Sequence, residues 1–418
     1  MKYMPPEIIN QTLSHYVSRV GKNSFIVTGY DVAAMATSFV LSIVSGRILH
    51  TEDYGLFMAL FATLTITYSL GSGIRLAYAK RVALFSESKD VALNIWDYRD
   101  PFMLGVLVMA VALALFIPTQ KYIGVQSGWS LIFMSLSLPF IFLYSSNVGL
   151  LQGLRRFSAY GKLVSIHGVL RLCLSLLSVL YFESVAGLMF GVTMGIILAT
   201  MFSFWICRKE ISWKWIPSYA TAYRSFIPFI CLALIITVYG SLDVFLVRIM
   251  FSSEISGYFA TVTVLAKAML YPSLGIMTVI FPIQVRTVNQ RKSAVTISFI
   301  TVVVSIVTSV CTLIVMHSAF DVVIPLTYGM DFVGAKYLLF PYGTLMVSVI
   351  INVQVLYLLL ANKIENSLFL KLLMCHLGVC VFSFFLLEDE ISSIFGMIFG
   401  NIMILLYSVF RLLKIKDL

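Results

Sequence analysis

Charged residues are scarce in this chain. Asp, Glu, Lys and Arg make up 11% of its 418 residues, whereas 60% are hydrophobic and the mean hydropathy is +0.97. Soluble domains carry about 25% charged residues, so a water-exposed domain is excluded and a multi-span membrane protein is indicated. The net charge of +10 does not predict nucleic-acid binding, because the basic residues lie between hydrophobic runs, where Lys and Arg orient membrane spans.

Sequence signatures of catalysis and of metal binding are also lacking. No glycine-rich loop ends in Gly-Lys-Ser/Thr, which excludes ATP hydrolysis by this chain. The six cysteines form no CxxC pair, and the five histidines lack the spacing of a metal site. We therefore expect no metal, no cofactor and no enzymatic activity. Residues 1–24 are polar and carry no signal-peptide pattern, so they are expected to form a cytoplasmic segment.

Long hydrophobic runs dominate the rest of the sequence. A membrane-spanning helix needs about 20 mostly apolar residues. By that measure the sequence predicts twelve spans, at 25–46, 56–79, 101–118, 129–151, 163–182, 185–207, 225–247, 257–283, 294–317, 337–360, 367–387 and 391–413. The polar segment 208–224 is the predicted cytoplasmic linker between an N-lobe of six spans (25–207) and a C-lobe of six spans (225–413), and 414–418 form a tail.

The basic residues predict how the spans are oriented. With the N-terminus in the cytoplasm, 21 Lys and Arg residues fall in cytoplasmic segments and only four in the opposite segments. Such a bias in short loops is the positive-inside pattern. It predicts that both termini are cytoplasmic.

The two halves of the chain contain a repeated motif. Residues 45–57 (SGRILHTEDYGLF) correspond to residues 247–259 (VRIMFSSEISGYF), so that Arg47 matches Arg248 and Gly55 matches Gly257. Each copy joins the end of one span to the start of the next. Internal repeats of this kind are typical of secondary transporters built from two related lobes, so the sequence predicts an all-α fold of two homologous six-helix bundles around a central cavity.

Charges inside predicted spans mark candidate site residues, because such charges usually face a protein interior or a water-filled cavity. Lys267 and Arg171 lie near the middle of their spans. Arg75 and Asp243 lie nearer the span ends, where a long side chain can reach the interface, and Asp31 lies about a third of the way across the first span. Gly240 and several prolines are candidates for bends in the C-lobe.

Polar residues at helical spacing accompany these charges. His167 precedes Arg171 by one turn, and Tyr271 follows Lys267 by one turn. A stripe of Thr65, Tyr68, Ser72 and Arg75 lines the second predicted span, and Asn352 adds an amide to the tenth. His167 is either a packing partner or a titratable group. The uncharged stripe on the ninth span, from Thr301 to Thr312, is interpreted as helix packing.

The buried cations outnumber the buried acids, which favours an anionic substrate. Arg offers a two-pronged fork for phosphate, and Lys offers a point charge. The predicted substrate residues are Arg75, Arg171, Lys267, His167, Tyr271 and Asn352. Asp31 and Asp243 either bind the H⁺ or Na⁺ that drives transport or neutralise the cations in structural pairs.

Several segments of the sequence resemble a known family. Residues 39–70, the segment 151–157 (LQGLRRF), and Ser241-Leu-Asp-Val with residues 264–268 (VLAKA) resemble the polysaccharide flippases of the Wzx type. These flippases belong to the multidrug/oligosaccharidyl-lipid/polysaccharide (MOP) exporter superfamily. The resemblance covers essentially the whole chain.

The resemblance implies a fold and an activity. It implies two six-helix bundles that rock about a central cavity in the bacterial inner membrane. They would flip an undecaprenyl-diphosphate-linked oligosaccharide, such as an O-antigen or capsule repeat unit, from the cytoplasmic to the periplasmic leaflet. Arg75, Arg171 and Lys267 would then bind substrate, and Asp31 and Asp243 would couple ion exchange to transport. Expected partners are this lipid-linked sugar, membrane lipids, and a polysaccharide polymerase with its chain-length regulator.

Two other functions remain as alternatives. A drug or cation antiporter of the same superfamily predicts mainly acidic residues in the cavity. A membrane polymerase or glycosyltransferase usually carries a sizeable outer loop with catalytic residues. The longest outer connection predicted here, around Asp321 to Lys336, is short for that role.

Overall fold

The computed structural model of the protein is built almost entirely of long helices. It describes residues 29–30, 32–85, 93–123, 128–212, 227–267, 269–270, 291–362 and 366–414. Within these residues, ten helices are long and apolar enough to cross a membrane, and Val32–Ile48 is a shorter apolar helix. The repeated apolar runs explain this architecture, because helices satisfy every backbone polar group within one segment in lipid.

The first six helices follow the six spans predicted for the N-lobe. Their bounds are Val32–Ile48 (α1), Thr51–Phe85 (α2), Arg99–Ile123 (α3), Trp129–Gly153 (α4), Phe157–Phe182 (α5) and Val185–Cys207 (α6). Helix α4 is central and packs against α2, α3 and α6, while α5 packs mainly on α6. Ser184 caps the start of α6 by accepting a hydrogen bond from the Gly187 N–H at 3.1 Å.

The remaining helices form the second half. Their bounds are Ile227–Thr237 (α7), Asp243–Met250 (α8), 253–267 (α9), Arg291–Thr327 (α10), Lys336–Ala361 (α11), Asn366–Leu386 (α12) and Glu390–Lys414 (α13). Helices α7 and α8 together form one span. Helix α13 packs against α11 and α12, and α12 packs against α7. Most of the predicted linker 208–224 lies outside the described residues.

The two halves meet through α2, which packs on both α7 and α8. At mid-length the hydroxyl groups of Ser69 and Thr237 lie 2.6 Å apart. Large apolar side chains on the outer faces are exposed, for example Leu177 at 64% and Val315 at 65%. In a chain with this many spans, such faces contact lipid.

Two segments differ from the sequence-based expectations. The connection around Asp321 is not a loop, because α10 continues to Thr327 and a short 3₁₀ helix covers Met330–Ala335. Asp97, Arg99 and Asp100, around the start of α3, form a charged pattern that is typical of a solvated loop. Instead, Asp97 is buried and accepts a hydrogen bond from Arg81 at 2.8 Å, and Leu93–Asn94 pair as a short parallel strand with Ile211–Ser212.

Candidate functional site

Two adjoining cavities lie among the helices of the membrane region, with volumes of about 180 and 430 Å³. Both are lined by Met35, Ser38, Thr65, Tyr68 and Arg171, so we treat them as one central cavity. The larger part lies among α1, α2, α4 and α5 of the N-lobe. The smaller part is bounded on one side by Val264 and Lys267 of the C-lobe.

The charged groups that the described residues contribute to the walls of the central cavity are all positive. Arg75 and Arg171 come from α2 and α5, and Lys267 comes from α9 across the inter-lobe boundary. Among the described residues, no Asp or Glu lines either part of the cavity. The arrangement therefore presents a positive surface to any molecule that enters, and an anion is the ligand class that it favours.

Arg171 lies in a polar and aromatic setting. Its guanidinium donates a hydrogen bond to the Ser38 hydroxyl on α1 and lies over the Phe61 ring at 5.4 Å. One turn earlier, His167 Nε2 lies 2.7 Å from the Tyr68 hydroxyl, and its ring stacks on Tyr144 with centroids 4.6 Å apart. These contacts hold α1, α2, α4 and α5 around one polar surface and fix the direction of the guanidinium.

Arg75 lies deeper toward the basic side, which we define as the membrane side that carries most of the Lys and Arg of the connecting segments. The sequence placed this residue near a span end, and the candidate span Thr51–Ala79 agrees with that position, although α2 itself continues to Phe85. Its side chain is partly buried and lines the larger part of the cavity beside Tyr144 and Tyr160. Its buried Nε has no hydrogen-bond partner among the described residues.

A break in the seventh span lies next to Lys267. The backbone leaves helical geometry at Tyr239 and Gly240, whose φ of +92° favours glycine. This is the bend that the sequence suggested at Gly240. A Cβ at that position would lie 2.7 Å from Cε of Lys267. Broken helices near the middle of the membrane commonly form ion and substrate sites in transporters.

Asp243 closes this break. Its Oδ1 accepts hydrogen bonds from the N–H groups of Gly240 and Val244, both at 2.8 Å, and its Oδ2 accepts one from the Tyr342 hydroxyl at 2.5 Å. The residue is fully buried within the protein. Its carboxylate satisfies backbone groups that the break leaves without helical partners.

The end of the cavity opposite the basic side is closed by the two copies of the sequence repeat. Gly55 of the first copy and Gly257 of the second pack directly against each other, because a Cβ on Gly55 would lie 2.8 Å from the backbone nitrogen of Gly257. Arg47 donates to the Pro325 carbonyl oxygen and Arg248 to the Glu52 carbonyl oxygen, each at 3.0 Å. Each arginine therefore binds the backbone of the other lobe.

Aromatic residues complete this closure. The Tyr54 ring packs edge-on against Tyr328 and Phe332, at centroid distances of 5.7 and 5.4 Å, and its hydroxyl lies 2.6 Å from that of Ser42. We call the set Arg47, Tyr54, Gly55, Arg248, Gly257 and Tyr328 the inter-lobe seal. Because it joins both lobes at one end of the central cavity, it is the part of the fold that must separate before that end can open.

The other predicted site residues lie elsewhere. Tyr271 and Asp31 fall outside the described residues. Asn352 is 1% exposed and donates hydrogen bonds from Nδ2 to the backbone oxygen and Oδ1 of Asn401, at 2.9 and 2.7 Å. It thus joins α11 to α13 and lines neither part of the central cavity. Its assignment as a substrate residue stays a prediction that the geometry does not favour.

We expect Asn352→Ala to lower stability while leaving substrate recognition unchanged. Interhelical hydrogen bonds in membranes stabilise the fold by about 1 kcal/mol. A loss of that size should lower the Tm by a few degrees, since about 1 kcal/mol shifts the Tm of folded domains by roughly that amount. The measurement is thermal unfolding in detergent, with transport assayed at equal amounts of folded protein. A changed substrate preference would contradict the packing role.

Two features of the cavity were not predicted. Tyr144 contacts His167 and Phe61 contacts Arg171, but neither Tyr144 nor Phe61 carries a charge or a distinctive spacing in the sequence.

On the ninth predicted span the packing interpretation agrees with the structure: the hydroxyls of Thr308 and Thr312 donate to carbonyls of their own helix, and Ser305 bonds to Gln354. Within the described residues, no group of three His, Cys, Asp or Glu side chains could hold a metal ion.

Solved structures share this fold. A multidrug-resistance transporter of the MATE family, in the MOP superfamily, matches in its inward-facing conformation with a TM-score of 0.70 at 12% identity, covering 92% of this chain and 96% of that chain. An outward-facing MATE structure matches with a TM-score of 0.63 at 14% identity, covering 94% and 97%. A MOP-superfamily transporter from Pyrococcus furiosus, described as having a binding pocket of reverse polarity, matches with a TM-score of 0.63 at 14% identity, covering 94% and 95%.

The fold is thus that of the MOP-superfamily transporters, and the predicted all-α class with two bundles around a cavity is confirmed. Residues 20–288, more than half of the chain, match the family described as polysaccharide biosynthesis protein. The chain belongs to this family, which confirms the resemblance found in the sequence. None of the curated proteins is similar in sequence to it at a significant level.

Proposed function

We propose that the protein is a flippase that moves an undecaprenyl-diphosphate-linked oligosaccharide from the cytoplasmic to the periplasmic leaflet by ion-coupled alternating access. Two findings support this proposal: the family is described as polysaccharide biosynthesis protein, and the fold is that of transporters. The observation that carries it is the central cavity, where the charged wall residues in the described part of the chain are Arg75, Arg171 and Lys267. In this proposal the basic side of the membrane is the cytoplasmic side.

A diphosphate group suits this set of cations. The guanidinium of Arg171, held by Ser38 and Phe61, offers a two-pronged donor to one phosphate, and Lys267 offers a point charge from the other lobe. A ligand bound by both lobes draws them together around itself. The polar side chains of Thr65, Tyr68 and Ser72 offer hydrogen bonds to sugar hydroxyl groups.

Opening toward the periplasm requires separation of the inter-lobe seal. The two arginine-to-carbonyl bonds and the Gly55–Gly257 contact hold that side closed. In the proposed cycle, substrate enters from the cytoplasmic leaflet while the seal is closed. Binding in the cavity and ion exchange then shift the population toward the state with the seal open. Asp243, beside the break and Lys267, is the proposed coupling residue in the described part of the chain, and Asp31 stays a second candidate.

The alternatives have less support. A drug or cation antiporter calls for acidic cavity walls, whereas the described walls carry cations. A polymerase calls for a large outer loop, but the segment around Asp321 is helical and short. For the transporter from Pyrococcus furiosus, the reverse polarity of the binding pocket is described as suggesting a different function of that protein.

The direct test is export in cells that lack the gene. We expect surface polysaccharide to disappear while lipid-linked repeat units accumulate facing the cytoplasm, and wild-type protein to restore export. Arg171→Ala and Lys267→Ala should each lower export at least tenfold at equal expression. Losing one charge-assisted contact to a phosphate costs about 1.5–3 kcal/mol, and each 1.4 kcal/mol is a factor of ten.

A matched control is Lys371→Ala, since this lysine is exposed on the outer face of α12. The substitution removes one positive charge, as the cavity variants do, but at a position away from the cavity. We expect it to export normally. If intact single repeat units reach the periplasm without this protein but stay unpolymerised, the flippase proposal is wrong and a polymerase is favoured. If the two cavity variants export as well as the control, the central cavity does not bind the diphosphate.

A further inference from the structure

A third cavity, of about 990 Å³, lies at the basic end of α1, α5 and α6. It shares no lining residue with the central cavity. Its walls come from the first turns of α5, the last turns of α6 and the segment that follows α6, with Tyr30 from the start of the first span. We call it the flank cavity. It plays no part in the transport path proposed above.

Five cations line the flank cavity: Arg155, Arg156, Lys162, Arg208 and Lys209. Among the described residues, no carboxylate lines it, and only Arg156 of these five has one within salt-bridge distance, Glu210 at 2.6 Å. The first turn of α5 also lines the cavity, and the partial positive charge of a helix N-terminus acts in the same direction. The cavity is therefore strongly positive.

Apolar groups lie directly beside these cations. Trp205 is 57% exposed and stacks on Phe202 with centroids 5.4 Å apart, and the Arg208 guanidinium lies 5.3 Å above the Trp205 ring. Tryptophan is the side chain typical of the membrane interface, where one edge meets headgroups and the other meets acyl chains. The cavity thus offers a positive part and an apolar part, as an anionic lipid requires.

The general bias of Lys and Arg toward one membrane side does not account for this arrangement. That bias determines how many cations each loop carries. It does not explain why cations from the α4–α5 connection and from the segment after α6 line one cavity together with an aromatic side chain. Basic pockets between spans on this side are typical binding sites for anionic headgroups. We propose that the flank cavity binds the phosphate headgroup of an anionic phospholipid from the leaflet on the basic side.

The test uses Trp205 as the reporter in the full-length protein, with the other four tryptophans replaced by phenylalanine. The protein is reconstituted in phosphatidylcholine vesicles that contain increasing fractions of brominated phosphatidylglycerol or brominated phosphatidylcholine. We expect phosphatidylglycerol to quench Trp205 at lower mole fractions than phosphatidylcholine. This preference should weaken as salt is raised, because salt screens the attraction. Equal quenching by both lipids at low salt would overturn the proposal.

Charge neutralisation supplies the matched comparison. The cavity variant combines Lys162→Gln, Arg208→Gln and Lys209→Gln, and the control variant combines Arg99→Gln, Lys371→Gln and Arg411→Gln, three cations of the same membrane side that lie outside the cavity. We expect about fivefold weaker apparent affinity for phosphatidylglycerol for each cavity charge removed. The control should keep the wild-type preference, and a preference retained by the cavity variant would contradict the proposal.

A second arm separates phospholipid from the proposed transport substrate. Unbrominated undecaprenyl diphosphate is added at a few molecules per protein to vesicles that contain brominated phosphatidylglycerol. We expect quenching of Trp205 to persist, since phosphatidylglycerol is in large excess. Complete relief of quenching at that ratio would mean that the cavity selects the polyprenyl diphosphate, which would overturn its assignment to phospholipid. The flipping assay is not needed for either result, so this proposal and the proposed function can fail separately.

Discussion

We expect Gly257→Ala to lower transport strongly by disfavouring closure of the inter-lobe seal. A Cβ at this position would lie 2.5 Å from Cγ2 of Thr51 and 2.9 Å from its carbonyl carbon, and closer still to its carbonyl oxygen. Most of these contacts are with the backbone of α2, which cannot rotate away as a side chain can. The start of α9 must therefore move away from the start of α2, and the two lobes separate on the side opposite the basic one.

The size of the effect follows from the cost of overpacking. Inserting a methyl group into a close-packed contact costs about 1–3 kcal/mol. Each 1.4 kcal/mol changes the ratio of two states by a factor of ten, so the ratio of closed to open protein should fall roughly 5- to 150-fold. Gly55→Ala should act in the same direction, because its Cβ would lie 2.8 Å from both the Gly257 nitrogen and the Ser256 hydroxyl oxygen.

Accessibility of the cavity reports this shift directly. Met58 lines the smaller part of the central cavity and is 6% exposed, so Met58→Cys, in a background with the native cysteines replaced, is the reporter. A membrane-impermeant maleimide added from the side opposite the basic one should label it at least about fivefold faster in Gly257→Ala, in line with the shift in the closed-to-open ratio. The transport assay of the gene deletion should show lower export in parallel.

Gly378→Ala is the control for a glycine-to-alanine change in a span. Its Cβ would meet only the Phe382 ring, at 3.9 Å, which is an ordinary contact. We expect normal export and slow labelling. If Gly257→Ala is labelled as slowly as this control and still transports, the Gly55–Gly257 contact is not required for closure.

The sequence was sufficient to predict the architecture because the governing pattern is local. Hydrophobic runs of sufficient length form spanning helices, and the basic loops orient them. The ends of the helices were harder to predict: α2 extends to Phe85 and α10 to Thr327, whereas the predicted spans end at 79 and 317. Backbone hydrogen bonding continues a helix past the charged residues that interrupt the apolar run, and hydropathy does not measure it.

The candidate site could be predicted only in part. Arg75, His167 and Arg171 share helix faces that periodicity identifies, and the structure places all three beside one cavity with Lys267. Whether they bind substrate stays a prediction. The pairing of Asn352 with Asn401 was not predictable, because two residues about 50 positions apart meet only through the packing of α11 on α13. The repeat showed that Gly55 and Gly257 are related, but not that they touch.

The second large effect is expected at Asp243, where Asp243→Asn should uncouple transport from the ion gradient. The carboxylate is buried beside Lys267 at the break in the seventh span and accepts hydrogen bonds from two backbone N–H groups and the Tyr342 hydroxyl. Asparagine has the same shape but cannot carry a negative charge. Its NH₂ group is a hydrogen-bond donor, so it cannot accept the hydrogen bond that one carboxylate oxygen accepts in the wild type. The site therefore loses the group that would exchange H⁺ or Na⁺ during the cycle.

The measurement is transport in proteoliposomes with and without an imposed pH or Na⁺ gradient. A tenfold ion gradient supplies about 1.4 kcal/mol per ion, which supports up to about tenfold accumulation of substrate in one leaflet. We expect wild type to approach that ratio and Asp243→Asn to stay near equal distribution, while exchange of substrate without a gradient continues. A purely structural role would instead lower both activities together.

Asp321→Asn is the matched control for this change. Asp321 is exposed and forms an ion pair with Lys336 on the side opposite the basic one, so the substitution removes one carboxylate that does not line the central cavity. It should keep gradient-driven accumulation. Because Asp243→Asn also weakens buried hydrogen bonds, the comparison is made at equal amounts of folded protein. Gradient-driven accumulation equal to wild type in Asp243→Asn would assign the coupling ion to another carboxylate, and Asp31→Asn would then be the variant to measure, since Asp31 is the other acid predicted within a span.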